Sequence, residues 1–315
     1  MPINNIVIFW GFYQNQLINS IKIINSSGAY VEILTYGATI VNLVIPDKRA
    51  ELGNVVLGYS DLEAYLNDQF YLGSTIGRSA NRIREGRINI GDHYYELDKN
   101  DGKHTNHGGY HGYHSRIFEF ELIANGVIMT LQDQDGTGGY PGTLLFKVTY
   151  KWTEGNELII EYEATCDRPT VANFTNHTYF DLSGKRDSVL DNRLRVDAML
   201  YLENDEFHIP TGILLKDPDG FAEGKVIDDI VDKALPVSTG LNRYFILTRK
   251  NTLSSSKAEL TDAVSGRRLQ VFTSYPGIMI YTGQYLNTGT GREGKSYKPL
   301  DGICLECQHY PDSIN

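Results

Sequence analysis

Apolar and polar residues alternate with a period of two along much of the chain. Leu144, Phe146, Val148, Tyr150 and Trp152 alternate with Lys147, Thr149 and Lys151, and Leu158, Ile160 and Tyr162 with Glu161 and Glu163. Phe118, Phe120 and Leu122 alternate in the same way with Glu119 and Glu121. Successive side chains of an extended segment point to opposite faces, so each run predicts a half-buried strand. Turn formers separate the runs, QDQDGTGGYPG at 132–142 and TEGNE at 153–157. That punctuation predicts consecutive antiparallel strands in a sandwich or barrel. Helical spacing is rare: YSDLEAYLND predicts a helix capped by Ser60 and Glu63, and 226–234 predicts a second. There is no βαβ alternation, GxGxxG, P-loop, fixed repeat or low-complexity linker, so the expectation is one all-β domain over 1–315 with few short helices.

Composition narrows the function classes. Of the 315 residues 41% are hydrophobic and 22% charged, which excludes a disordered chain. No apolar run approaches the length of about eighteen residues that a membrane helix needs. Twenty-one tyrosines, twelve phenylalanines and thirty-one glycines add strand and turn formers to the β reading. Twenty-nine basic against thirty-nine acidic residues give a net charge of −10, which repels phosphate backbones and anionic lipid. The expected partner is therefore a neutral small molecule, not nucleic acid or a membrane surface. Three cysteines, Cys166, Cys304 and Cys307, are too few and odd in number for a disulfide framework. The N-terminal stretch has no basic region and no cleavage site, so the expected compartment is the cytoplasm and the Asn25, Asn173 and Asn176 sequons go unglycosylated. Cys304 and Cys307 have CxxC spacing, but three positions apart on a strand they face opposite ways.

Histidine carries the most information about chemistry. Five of eight fall between His93 and His114, four of them in KHTNHGGYHGYH at 103–114. Without HExxH, paired cysteines or an Asp-rich loop, the run does not make a metal site, and no metal or other cofactor is expected. A glycine-rich surface loop with solvated imidazoles accounts for most of it. His107 is the exception, because Gly108 and Gly109 allow the backbone close to a ligand. His177, in NHTYFDL, is either a hydrogen-bonded core histidine or a functional one. Glu306 stands among Ile303, Cys304, Leu305 and Cys307; a buried carboxylate is costly unless paired or functional, and the alternative is an edge-strand residue facing water. Asn81 and Arg82 in GRSANRIREG form a polar pair after a glycine, or a solvated turn with neighbouring arginines.

At these residues the sequence resembles the aldose 1-epimerase (galactose mutarotase) family. The segments that carry the likeness run nearly end to end: 25–47, VVLGYSDLEAYL at 55–66, GRSANRI at 77–83 and NHGG at 106–109. They continue with GYPGTLLFKVTY at 139–150, PTVANFTNHTYFDL at 169–182, YPGIMIYTG at 275–283 and LECQHYPDSIN at 305–315. The resemblance implies a large antiparallel β-sandwich, acting as a monomer or weak dimer on free hexoses without a cofactor. It implies His177 as proton donor, Glu306 as proton acceptor, and Asn81, Arg82 and His107 as groups that hold the sugar. It departs at Asn242, where the family pattern has aspartate, followed by Arg243 instead of the frequent histidine. It departs again at Met279, where a glutamine is frequent. Both positions touch sugar hydroxyls in the family, so the departures bear on galactose preference more than on the reaction. Relatives also continue past PDSIN into another strand, and its absence is expected to leave an unpaired sheet edge.

The implied reaction needs opposite groups. The anomeric hydroxyl loses a proton while the ring oxygen gains one; the ring opens, the C1–C2 bond rotates, and closure reverses both transfers. A carboxylate with an ordinary pKa of about 4.3 suits the first role and an imidazole of about 6.5 the second. Two other readings fit the same scaffold: a sugar-binding or sensing protein without catalysis, and an epimerase of hexose phosphates that uses Arg78, Arg82, Arg84 and Arg87.

Overall fold

The predicted strands form and pair with their neighbours in sequence. Glu119–Ile123, Gly126–Asp133, Leu144–Trp152 and Leu158–Cys166 make a four-stranded antiparallel sheet in chain order. Leu144, Phe146, Val148, Tyr150 and Trp152 are buried on one face, each contributing about 1.5–3 kcal/mol. The Trp152 Nε1–H donates to the Ala29 carbonyl at 3.2 Å and the Tyr150 hydroxyl to the Ala38 carbonyl at 2.7 Å, which satisfies both polar side-chain atoms of that stripe. In the outer strand the pattern misleads: Phe118 is buried, but Phe120 and Leu122 are exposed. Alternation identifies two faces; it does not say that either is covered.

The computed structural model describes residues 3–185, 188–231, 240–248 and 253–315. The chain forms two compact units that alternate along the sequence. The first comprises the chain up to Val44, Asp61–Asn176 and Pro311–Asn315; the second comprises Ile45–Ser60 and His177–Tyr310. Besides the meander, the first unit holds Asn4–Tyr13, Gln16–Ile24 and Tyr30–Leu34 in an antiparallel sheet, continued by Thr39–Pro46. It also holds the α-helix Leu62–Leu66, the only one among the described residues. Its N-cap is Asp61, whose carboxylate accepts from the Ala64 N–H at 2.9 Å, and not Ser60. Ser60 Oγ instead accepts from the Glu293 N–H at 3.0 Å, in the second unit. The predicted helix over 226–234 is also corrected: Lys225–Val226 pairs with the strand Arg193–Val196 and Ile227–Asp229 makes one 3-10 turn. Residues 232–234 of that stretch lie outside the described residues.

The second unit is built on a six-stranded sheet in the order Tyr179–Phe180, Ile303–Gln308, Gly277–Tyr281, Asn242–Leu247, Ala198–Asn204, Pro210–Lys216. The Ile303–Gln308 strand pairs with Gly277–Tyr281 and, at Ile303 and Cys304, with Tyr179–Phe180, and Glu306 is buried and does not face water. Directly opposed residues share a face, and so do residues two apart. The register Tyr179↔Cys304, Cys304↔Tyr281, Glu306↔Met279, Met279↔Tyr244 and Tyr281↔Asn242 therefore puts these side chains on one face. Ile303, Leu305, Ile278, Ile280 and Phe245 form the apolar opposite face, all buried. Cys307 lies with them, opposite in face to Cys304 as the spacing requires.

Candidate active site

In the second unit, His177 and Glu306 come together. His177 Nε2 is 3.7 Å from Glu306 Oε1, and the two residues are 4% and 2% exposed. Glu306 reaches this position because its strand alternates: Ile303, Leu305 and Cys307 face the core while Cys304, Glu306 and Gln308 face the other way. His177 lies two residues before the short Tyr179–Phe180 strand. Its ring packs against Tyr179, with centroids 5.0 Å apart, and edge-on to Tyr281 at 6.2 Å. Its Nδ1 is 3.5 Å from the sulfur of Cys304. Burial, and next the Glu306 charge, push the Cys304 thiol well above its ordinary pKa, so it stays protonated. A carboxylate and an imidazole side by side on one face supply a proton acceptor and a proton donor within reach of two oxygens on one carbon.

Met279 and Asn242 lie on the same face. Met279 is the cross-strand partner of Glu306 and packs with Leu202 and Tyr244 in a small apolar cluster, 3% exposed. Asn242 is opposite Tyr281 and only partly buried. Its neighbour Arg243 turns to the other face, ion-pairs with Asp219 and lies over the Tyr201 ring at 4.9 Å. Sequence reasoning missed Cys304 and Tyr281 as neighbours of His177, and Gln308, which is fully buried on the Glu306 face with neither amide atom hydrogen-bonded. The period-two rule, carried from Glu306 to Cys304 and Gln308, contains the signal for both.

In the first unit, Asn81, Arg82 and His107 come together by backbone pairing. Arg82–Ile83 pairs with Thr105–Asn106, Arg82 opposite Asn106. The His107 N–H then donates to the Asn81 carbonyl at 3.2 Å, and the Asn81 N–H to His107 Nδ1 at 3.3 Å. A backbone donor at Nδ1 leaves Nε2 as the protonated nitrogen of the neutral ring. Arg82 is fixed by Asp101 at 2.7 Å. Asn81 and His107 both adopt left-handed backbone, φ 62° and 50°. The fold itself requires glycine at both positions after His107: a Cβ on Gly108 would lie 2.1 Å from the Gly77 carbonyl oxygen, and one on Gly109 2.7 Å from Asp98 Cβ. The surface-loop reading of the remaining histidines holds for exposed His111 but not for His104, which is buried and accepts from the Glu85 N–H at 3.0 Å. Nor does it hold for His114, partly buried against Tyr71.

The four arginines of 78–87 do not converge. Arg78 pairs with Asp133, Arg82 with Asp101, Arg84 with Asp312 and Arg87 with Glu85. With four carboxylates already holding four guanidiniums, the stretch offers no joint cradle for a phosphate.

A family profile described as aldose 1-epimerase matches residues 19–315. The chain belongs to the aldose 1-epimerase family. Within it, the chain is 38% identical over 294 residues to galactose mutarotase of Mus musculus, covering 90% of this chain and 84% of that protein. It is 31% identical over 298 residues to aldose 1-epimerase of Escherichia coli K12, covering 92% and 86%. Among solved structures, an aldose epimerase homologue from C. elegans superposes with a TM-score of 0.87 at 28% identity, covering 99% of this chain and 92% of that one. Galactose 1-epimerase from Lactobacillus acidophilus gives 0.84 at the same identity and coverage. The fold class is thus the antiparallel β-sandwich of the galactose mutarotase type. Aldose 1-epimerases are isomerases, so the expectation of an enzyme of that class holds.

Proposed function

We propose that this chain is a mutarotase that interconverts the α and β anomers of free hexoses such as glucose and galactose, with Glu306 as base and His177 as acid. The observation that carries the assignment is the 3.7 Å approach of Glu306 Oε1 to His177 Nε2, both buried on one sheet face. Glu306 takes the anomeric proton as His177 protonates the ring oxygen; the open aldehyde rotates about C1–C2, and the two groups return the protons on closure. Proton balance is kept at every step. The residues supply all of the acid and base chemistry, and the reading calls for no metal or other cofactor.

Asn81, Arg82 and His107 take the hydroxyl-holding role that the family resemblance gives them. Their local geometry supports it: Arg82 is braced by Asp101, and His107 keeps Nε2–H as a donor. Asn242 and Met279, on the same face as Glu306, are assigned to the sugar contact. The net charge of −10 supports a neutral monosaccharide over nucleic acid or anionic membrane. Among the described residues no helix is long and apolar enough to cross a membrane, and all three cysteines are free, which supports a reducing compartment.

Polarimetry on freshly dissolved α-glucose or α-galactose tests the assignment. Glu306→Gln should lower kcat by about 10²–10⁴, the usual worth of a positioned acid or base, and leave sugar binding within a few-fold. Wild-type rates in that variant would end the assignment, and binding without acceleration by the wild type would mark a sugar sensor.

A further inference from the structure

We propose that Cys304 is a positioning residue for His177: its sulfur engages Nδ1 so that Nε2 is the nitrogen turned to Glu306 and the sugar. The inference rests on the acid role assigned to His177. The contact is specific to the fold, because Cys304 and His177 are 127 residues apart and meet at 3.5 Å only through the pairing of Tyr179 with Cys304. Side chains that face the His177 ring within this unit include Cys304 at Nδ1, Glu306 at Nε2, and the rings of Tyr179 and Tyr281. The tyrosines restrict the plane of the imidazole, but they do not choose which nitrogen faces the carboxylate. Sulfur at Nδ1 does.

The proton inventory is simple. As an imidazolium, His177 carries N–H on both nitrogens, Nδ1–H toward sulfur and Nε2–H toward the reaction. When Nε2 protonates the ring oxygen, the ring left behind is the Nδ1–H tautomer, with the same N–H still directed at sulfur. Sulfur thus accepts in both states, loses nothing and gains nothing. A carboxylate at this position would grip the imidazolium and raise its pKa, weakening it as an acid. A buried thiol that stays protonated orients the ring while adding no charge.

Cys304→Ala and Cys304→Ser in the full chain, assayed by polarimetry across pH, provide the test. In the alanine variant kcat should fall roughly tenfold or more, since a displaced catalytic group is that costly, with KM changed far less. The alkaline limb of the rate profile should move to lower pH, because the imidazolium has lost its Nδ1–H acceptor. Serine, whose hydroxyl accepts the same N–H, should recover part of the rate and of the limb. Native kcat and an unmoved limb in Cys304→Ala overturn the proposal, as does a loss that serine fails to recover with the limb in place. Should the variants fail to fold, ¹⁵N spectra of histidine-labelled wild type decide it: neutral His177 protonated at Nδ1 supports the proposal, and protonation at Nε2 overturns it. Glu306→Gln run alongside separates the two failures, since an inactive Glu306→Gln beside a native-like Cys304→Ala removes this inference alone.

Discussion

His114 shows how one side chain ties the fold to pH. Its ring packs edge-on to Tyr71, with centroids 4.7 Å apart, and its Nδ1 is buried without a hydrogen bond. Burial pushes its pKa down from 6.5 to about 4. The unfolded chain therefore takes up a proton near pH 6.5 that the folded chain refuses until about pH 4. Stability contributed by the neutral ring is full above pH 6.5 and is lost as pH falls through that window. For a partly exposed group the loss is on the order of 2 kcal/mol. Urea unfolding at pH 7 and near pH 4.5 should show His114→Gln losing less stability on acidification than wild type, and equal losses would contradict this account. From sequence, His114 is one of four histidines in a glycine-rich run. Nothing in KHTNHGGYHGYH says that Tyr71 covers it, because that contact spans more than forty positions.

At the level of elements, one buried ion pair fastens the stretch that bears Asn81 and Arg82. The Arg78 guanidinium donates to Asp133 at the end of the Gly126–Asp133 strand, at 2.8 and 3.0 Å. It also donates to the carbonyls of Pro141 and Gly142 just before Leu144–Trp152. The side chains are 0% and 3% exposed. Removing one partner of such a pair leaves a charge without compensation, so Asp133→Ala should cost about 3–5 kcal/mol in urea unfolding. Replacing both partners with apolar residues of similar volume should cost less than that single change, because no fully buried charge is then left unpaired; Arg116, which also meets Asp133 at 3.2 Å, is 27% exposed. A near-neutral Asp133→Ala would show that Arg78 is held by its carbonyl contacts alone. The two partners illustrate the limit of pattern reading. The strand that ends at Asp133 lies inside the run of predicted antiparallel strands, whereas Arg78 reads as one arginine among several in GRSANRIREG, with no local sign that it is buried.

For the molecule as a whole, charge and substrate must agree. A chain of net charge −10 acting on a neutral sugar gains nothing from long-range attraction. Raising the ionic strength from about 0.01 to 1 M, which shortens the screening length from roughly 30 to 3 Å, should leave kcat/KM for glucose within about twofold. A steep salt dependence, or turnover of a hexose phosphate in preference to the free sugar, would revive the phosphate reading that the separately paired arginines oppose.

The all-β class and the meander from 119 to 166 are legible in the order of residues alone. Period-two burial is local, written in side chains such as Phe146, Val148 and Trp152, and turn formers mark where each strand stops. The same order singles out Glu306, since a carboxylate among apolar strand residues is anomalous without any knowledge of its partners. Tertiary structure decided what depends on distance. It left Phe120 and Leu122 exposed, gave the helix cap to Asp61, and buried His104. It also brought His177, 129 positions away, to within 3.7 Å of Glu306. Alternation fixes which residues share a face; which strands lie side by side, and so which side chains meet, is set by register between distant segments.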